Sequence, residues 1–152
     1  MMPATRRGMF VRTALAGAAA FMLSVGSAAA GVLTCHFTEP FFVIVFDSAT
    51  SIVTLTSPDD SDPETGKIEP KVIAEGAKLT RSDAWVGYPT LTLDAGEERI
   101  LDIKFTGQGS DGMSETVFPM EGVYGTNVGG CEATRAPAYD LYELYRDLGI
   151  EP

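Results

Sequence analysis

From residue 31 onwards the sequence is built of short runs typical of β-strands. Leu101, Ile103 and Phe105 alternate with Asp102 and Lys104. Because successive side chains of a strand point to opposite faces, this alternation predicts a half-buried strand. Further strands are predicted at residues 32–37, 52–56, 71–74, 78–81, 90–94, 117–124 and 128–131, with turn residues between them. Seven to nine short strands in one small domain predict an all-β fold, a small antiparallel barrel or sandwich.

One run, residues 41–46, is apolar throughout and reads Phe-Phe-Val-Ile-Val-Phe. Its β-branched and aromatic residues favour a strand, and it is too short to indicate a helix. We expect it to be the most buried strand, covered on both faces. The turn at residues 47–50 then leads into the strand 52–56, which predicts a first hairpin.

The last part of the chain has a different period. Apolar residues recur there at helical spacing, at Ala138, Leu141, Tyr142, Tyr145 and Leu148. Pro137 suits the first turn of a helix and Gly149 suits its end. The spacing predicts a short C-terminal helix over 137–148 that packs one face on the sheet.

The first thirty residues have the pattern of a secretory signal peptide. Arg6, Arg7 and Arg12 precede the uncharged stretch 13–30, which ends in Ser-Ala-Ala-Ala. A basic start, a short apolar core and a small-residue site predict cleavage after Ala30 by a signal peptidase. We therefore expect a single domain over 31–152, periplasmic or secreted, with no stable membrane insertion. The paired arginines leave the twin-arginine route open beside the Sec route.

Residues 31–152 are strongly acidic. Three of the 11 basic residues and none of the 21 acidic residues lie in the first thirty positions, so this part carries a net charge of −13. Such a charge repels nucleic acid and anionic lipid and attracts cationic partners. It is also compatible with an acidic surface that only keeps an exported protein soluble, or with cation binding.

Two cysteines, Cys35 and Cys131, lie near opposite ends of this domain. In an exported chain an even pair predicts a disulfide, which would tie the first strand to the last. The alternative is lipidation of Cys35, but Thr34 stands where a lipoprotein signal requires a smaller residue.

No catalytic or cofactor motif was found. His36 is the single histidine, so a multi-histidine metal site cannot form. Asp60, Asp62 and Glu64 alternate as in a calcium loop, but Thr65 occupies the position that requires Gly. The Gly-rich stretch 107–112 lacks the Lys-Ser/Thr pair of a phosphate-binding loop. We therefore expect a protein that is not an enzyme and has neither a metal nor a cofactor.

Two segments together resemble a family of small bacterial envelope proteins. Residues 38–42 read Thr-Glu-Pro-Phe-Phe, residues 110–119 read Ser-Asp-Gly-Met-Ser-Glu-Thr-Val-Phe-Pro, and residues 130–131 read Gly-Cys. The family carries E-P-F-W, D-G-M-S-D-x-x-Y-P and terminal G-C motifs, and its members are exported and generally uncharacterised. Some occur beside domains similar to inhibitors of c-type lysozyme. The resemblance implies a small β domain that binds a partner.

The resulting expectation is an exported, non-enzymatic binding protein of the cell envelope with a cationic protein as its partner. Its most specific form is inhibition of a cationic cell-wall hydrolase such as lysozyme. The alternative is a small-molecule carrier with an apolar cavity inside a β-barrel. The pattern carries no signal for the oligomeric state. The candidate partner-binding residues are Ser110, Asp111, Gly112, Met113, Ser114 and Glu115, although Asp-Gly also forms tight turns, and Met113 could point into the core or out of a loop.

Overall fold

A computed structural model describes residues 31–82 and 87–134, which form one antiparallel sheet of nine strands curled into a half-barrel. This confirms the all-β prediction. The predicted signal peptide (1–30) and the predicted helix (137–148) lie outside the described residues. The strands are β1 (Val32–Thr38), β2 (Phe41–Asp47), β3 (Ile52–Thr56), β4 (Lys71–Glu75), β5 (Lys78–Ser82), β6 (Thr90–Ala95), β7 (Glu98–Lys104), β8 (Met120–Tyr124) and β9 (Asn127–Ala133).

The first and last strands lie side by side in the middle of the sheet. The order is β4-β3-β2-β1-β9-β8-β7-β6-β5, and every neighbouring pair is antiparallel. After eight such reversals β4 and β5, the two edge strands, run in the same direction. Only Gly76 and Ala77 connect them, and Gly76 has a φ of +67°. The chain therefore passes from one edge of the sheet to the other through a bend rather than a hairpin.

The core lies on the concave face of the sheet and is made of aliphatic and aromatic side chains from both halves of the chain. The largest fully buried residues alternate along their strands, as the period of two predicts. They are Leu33, Ile44, Val53, Leu91, Leu93, Leu101, Ile103, Met120 and the two cysteines. Both halves of the chain are thus joined by one hydrophobic cluster.

The strand covered on both faces is β6, not β2 as the sequence predicted. In β2, Phe42, Ile44 and Phe46 are buried, whereas the alternating residues, among them Phe41, are at least partly exposed. In β6 all four residues from Thr90 to Leu93 are buried.

The outer face of β6 is lined by polar side chains of β5, β6 and β7. The Thr92 hydroxyl bonds Thr80 at 2.9 Å and Asp94 at 3.0 Å, and Arg99 pairs with both Asp94 and Asp102. The buried hydroxyl of Thr92 is thus hydrogen-bonded, and β6 is buried on both faces although its sequence is not apolar throughout.

The predicted strand 117–124 begins only at Met120. Phe118 pairs instead with Gly109, through N–H···O bonds of 2.9 and 2.8 Å in the two directions. Residues 105–119 thus form one folded connection, called here the β7–β8 loop. Within the described ranges no helix is long and apolar enough to cross a membrane.

Candidate functional site

The two cysteines form the predicted disulfide and join β1 to β9. Cys35 and Cys131 are direct partners in the antiparallel register, their Cα atoms are 4.1 Å apart, and both are fully buried. A side chain at Gly122 on β8 would overlap the Cys131 sulfur, so this glycine leaves room for the bridge. The bridge therefore lies inside the half-barrel, and the neighbouring residue His36 points to the outer face.

The β7–β8 loop lies against that outer face. The Phe118 ring is next to the His36 ring, with 5.4 Å between ring centroids, and it covers Gly130 of β9, where a Cβ atom would overlap it. Phe118 is buried, although it takes no part in the concave core. Glu132, also on the outer face, has a carboxylate oxygen 3.7 Å from His36 Nε2. Gly130 thus provides the surface on which the loop packs.

Inside the loop one carboxylate organises the segment predicted as the binding site. Asp111 Oδ1 accepts the backbone N–H groups of Met113 at 3.0 Å and Ser114 at 2.8 Å, and Oδ2 accepts the Ser114 hydroxyl at 2.8 Å. Ser110 Oγ accepts the N–H of Gly112 at 3.0 Å. These bonds form a turn of the type that Asp and Ser favour.

The same hydrogen bonds lower the pKa of the Asp111 carboxyl group. The bond from the Met113 amide contributes most, followed by the Ser114 amide and hydroxyl, and together with the nearby His36 they lower the pKa of this carboxyl group. Hydrogen bonds to the charged form favour ionisation. Asp111 is therefore a structural anion that stabilises the turn.

The loop is also fixed to the end of β1. The Thr38 hydroxyl donates to the backbone carbonyl of Asp111. Gly112 has a φ of +85°, and a Cβ atom there would lie 2.6 Å from Thr38 Oγ1. Two of the segments that carry the family resemblance, 38–42 and 110–119, therefore meet in space.

The candidate residues divide into two groups. Ser110, Asp111, Gly112 and Ser114 hold the turn through the bonds above. Met113 and Glu115 are exposed, and 71% of Met113 is accessible to solvent, so its side chain points out of the loop. Ser110, Gly112 and Ser114 are exposed as well, so hydrogen bonding within the turn, and not burial, distinguishes them from Met113 and Glu115.

Sequence reasoning missed two further exposed apolar side chains, those of Val117 and Val128. Val117, on the same loop, is 67% exposed, and Val128 at the start of β9 is also exposed. Val128 faces outward, since it alternates with Gly130 along the strand. Isolated valines in a sequence give no signal of their exposure, because it depends on how the loop and β9 are placed in the fold. We call Met113, Val117 and Val128 the apolar patch.

In the acidic loop between β3 and β4, every residue from 58 to 70 is exposed. Asp62 accepts N–H bonds from Thr65 at 2.7 Å and Glu64 at 2.9 Å, and the Thr65 hydroxyl at 2.9 Å. The bonds from Thr65 are the main cause of its lowered pKa. Across the described ranges, no three His, Cys, Asp or Glu side chains are grouped so that they could hold a metal ion.

Comparisons with known proteins do not extend these observations: no family model, no curated protein and no solved structure matches the chain.

Proposed function

We propose that the protein is an exported binding protein of the bacterial cell envelope that holds a cationic protein through the apolar patch and its acidic surroundings. The disulfide is of the kind that persists in oxidising compartments. Residues 31–152 carry a net charge of −13, which attracts a basic protein as the partner. A cell-wall hydrolase of the lysozyme type is the specific partner we propose.

The observation that carries the proposal is the exposure of Met113 and Val117 on a loop that is held by many hydrogen bonds. A segment fixed before binding loses little conformational entropy when it binds. Methionine and valine exposed together on such a segment supply the apolar centre that interfaces require. Asp111 takes part in this arrangement only indirectly, since its carboxylate is bonded within the turn.

Acidic residues around the patch would steer a basic partner towards it. Glu115 lies between Met113 and Val117 in the sequence, and Glu132 lies on the same strand as Val128. Both glutamates are exposed. Charges at the rim of an interface raise the association rate, and salt screens their effect. Binding should therefore combine an apolar contribution that resists salt with an electrostatic contribution that does not.

The alternative function, a small-molecule carrier, requires free space inside the half-barrel. Large side chains from both halves of the chain pack there into one cluster. This packing favours a surface function over an interior one.

The test is calorimetric titration of the exported protein with c-type lysozyme, together with a cell-wall lysis assay. We expect binding at about 0.01 M salt, where the Debye length is about 30 Å, that weakens but persists at about 0.15 M, where it is about 8 Å. Met113→Ser and Val117→Ser should each weaken binding. Val72→Ser is the matched control, because Val72 is an exposed valine on the edge strand β4.

A purely electrostatic attraction would give a different result. If both patch variants bind as tightly as Val72→Ser, or if the protein leaves lytic activity intact at saturation, the hydrolase proposal is wrong.

A further inference from the structure

A shallow depression lies at the end of β1, between two turns that are distant in sequence. Its volume is about 430 Å³, and its walls are the β1–β2 turn (Thr38, Glu39, Pro40 and Phe41) and Pro58 with Asp59 from the turn after β3. Pockets that hold small organic groups start at about 300 Å³. The depression is therefore large enough for one long side chain of a partner.

Hydrogen bonds hold the two walls together. The Ser57 hydroxyl donates to the Phe41 carbonyl at 3.3 Å and accepts the Asp59 N–H at 3.3 Å. Ser57 also caps the short 3-10 turn Pro58–Asp60, in which its carbonyl accepts the Asp60 N–H at 3.0 Å. Ser57 thus links the turn after β3 to the start of β2.

The walls combine an aromatic side chain with negatively charged ones. Phe41 is 52% exposed, whereas Phe42, Ile44 and Phe46 of the same strand are buried. Glu39 and Asp59 are both exposed, and in the part of the chain that the structure describes no cationic side chain forms an ion pair with either. A cation is attracted by an aromatic face and by unpaired carboxylates alike.

We propose that this depression receives an arginine side chain of the protein partner, an inference that rests on the proposed binding of a cationic protein. Arginine fits these walls better than lysine, because its planar guanidinium stacks on aromatic rings and can donate to two carboxylates at once. Pro40 and Pro58 would contact the apolar stem of the side chain. Thr38 belongs both to this depression and to the attachment of the β7–β8 loop, so one partner could contact both places.

The test uses a short peptide instead of a whole partner. Acetyl-Gly-Arg-Gly-amide is titrated into the exported protein at low salt and followed by NMR, with the citrulline peptide as the neutral analogue of the same shape. We expect the arginine peptide to shift the Phe41 ring signals and the Glu39 and Asp59 amides. The citrulline peptide should bind at least about tenfold more weakly, because it lacks the charge that both the ring and the carboxylates attract.

Matched variants separate the depression from the general acidity of the chain. Phe41→Ala and Phe41→Leu should each weaken binding of the arginine peptide severalfold, whereas Tyr88→Ala should not, although Tyr88 is an aromatic residue of the same 52% exposure. Glu39→Gln should weaken it more than Glu97→Gln, an exposed carboxylate in the β6–β7 turn. Equal binding by Phe41→Leu and Tyr88→Ala, or equal binding of the two peptides, would overturn the proposal.

The result for the arginine site can be distinguished from the result for the proposed function. If lysozyme fails to bind but the arginine peptide shifts Phe41, the depression is an arginine site and the hydrolase is the wrong partner. If lysozyme binds through Met113 while the peptide produces no shift at Phe41, the arginine site is wrong and the apolar patch remains.

Discussion

The Thr38 hydroxyl donates a hydrogen bond to the backbone carbonyl of Asp111, a residue 73 positions further along the chain. This bond joins the end of β1 to the tip of the β7–β8 loop. It also places Thr38 against Gly112, at a distance that leaves no space for a Cβ atom. The exposed side chain of Met113 follows directly, so its position depends on this contact.

The first prediction concerns the pair Thr38 and Gly112. Gly112→Ala should destabilise the protein by about 1–2 kcal/mol from its positive φ alone, and by more because the new methyl group meets Thr38 Oγ1. Gly125→Ala is the control, since Gly125 also has a positive φ but has no atom within 4 Å of the Cβ position. Thermal unfolding of the two variants measures the difference.

A double mutant then tests the contact itself. Thr38→Ala should cost about 1 kcal/mol by removing the donor to Asp111. In the Thr38→Ala background, Gly112→Ala should cost less than in the native protein, because the clashing oxygen is absent. Strict additivity of the two changes would contradict the described contact.

The second prediction concerns the disulfide, which closes a long loop with a sequence separation of 96. On the chain-entropy model a loop of this size stabilises by about 4–5 kcal/mol. The double variant Cys35→Ala, Cys131→Ala should therefore lose at least about a third of the 5–15 kcal/mol by which domains are typically stable. Alanine is preferred to serine here, because a hydroxyl would be placed in a fully buried position.

Burial of the bridge also limits how readily a reductant reaches it, which can be measured. Since both sulfur atoms lie in the core, mild reductant should release thiols only after denaturant has unfolded the protein. If thiol labelling detects rapid reduction in the absence of denaturant, the bridge is accessible and this prediction is wrong.

Much of this fold could be predicted from the sequence, because the signals for it are local. Sequence patterns placed a strand at each of the nine positions, by alternation in several and by the continuous apolar run 41–46 in β2, and the pairing of the two cysteines followed from their even number. The covered strand was misassigned, because Thr92 is buried beside Thr80 of β5 and Asp102 of β7, which are its neighbours only across the sheet. The depression beside Phe41 was missed for the same reason, since Pro58 and Asp59 join it through a packing contact with no sequence pattern.

The third prediction concerns acid. The pKa of Asp111 is lowered chiefly by the bond from the Met113 amide, then by the amide and hydroxyl of Ser114. A carboxyl group whose pKa is lower in the folded state stabilises that state above its unfolded pKa of about 3.9, and the contribution disappears as the pH falls through the folded value. We therefore expect the turn to remain ordered at neutral pH and to loosen only below about pH 4.

NMR of the Met113 and Ser114 amides measures this loosening directly. Both signals should shift with the titration of Asp111, and Asp111→Asn should remove that pH dependence. The Glu64 and Thr65 amides are an internal comparison, because they bond Asp62, whose pKa is lowered in the same way. Asp111→Asn should leave their titration unchanged; if it abolishes both, the two turns are not independent.

The fourth prediction concerns two glycines of neighbouring strands, Gly122 on β8 and Gly130 on β9. Gly130 on the outer face provides the space for the Phe118 ring, and Gly122 on the inner face provides the space for the disulfide. Gly130→Ala should therefore displace Phe118 and shift the β7–β8 loop, while the core stays packed. Gly122→Ala should push against the bridge and destabilise the whole domain, by about 1–3 kcal/mol as overpacked cores do.

The His36 ring reports which of these happens. It lies 5.4 Å from Phe118, so loss of the aromatic neighbour should move the His36 ring proton signals in Gly130→Ala. In that variant the unfolding temperature should fall little, and binding through Met113 and Val117 should weaken because the loop that carries them has moved. In Gly122→Ala the unfolding temperature should fall clearly. Unchanged His36 signals in Gly130→Ala would mean that Phe118 does not fix the loop to the sheet, and the rigid support proposed for the apolar patch would then be wrong.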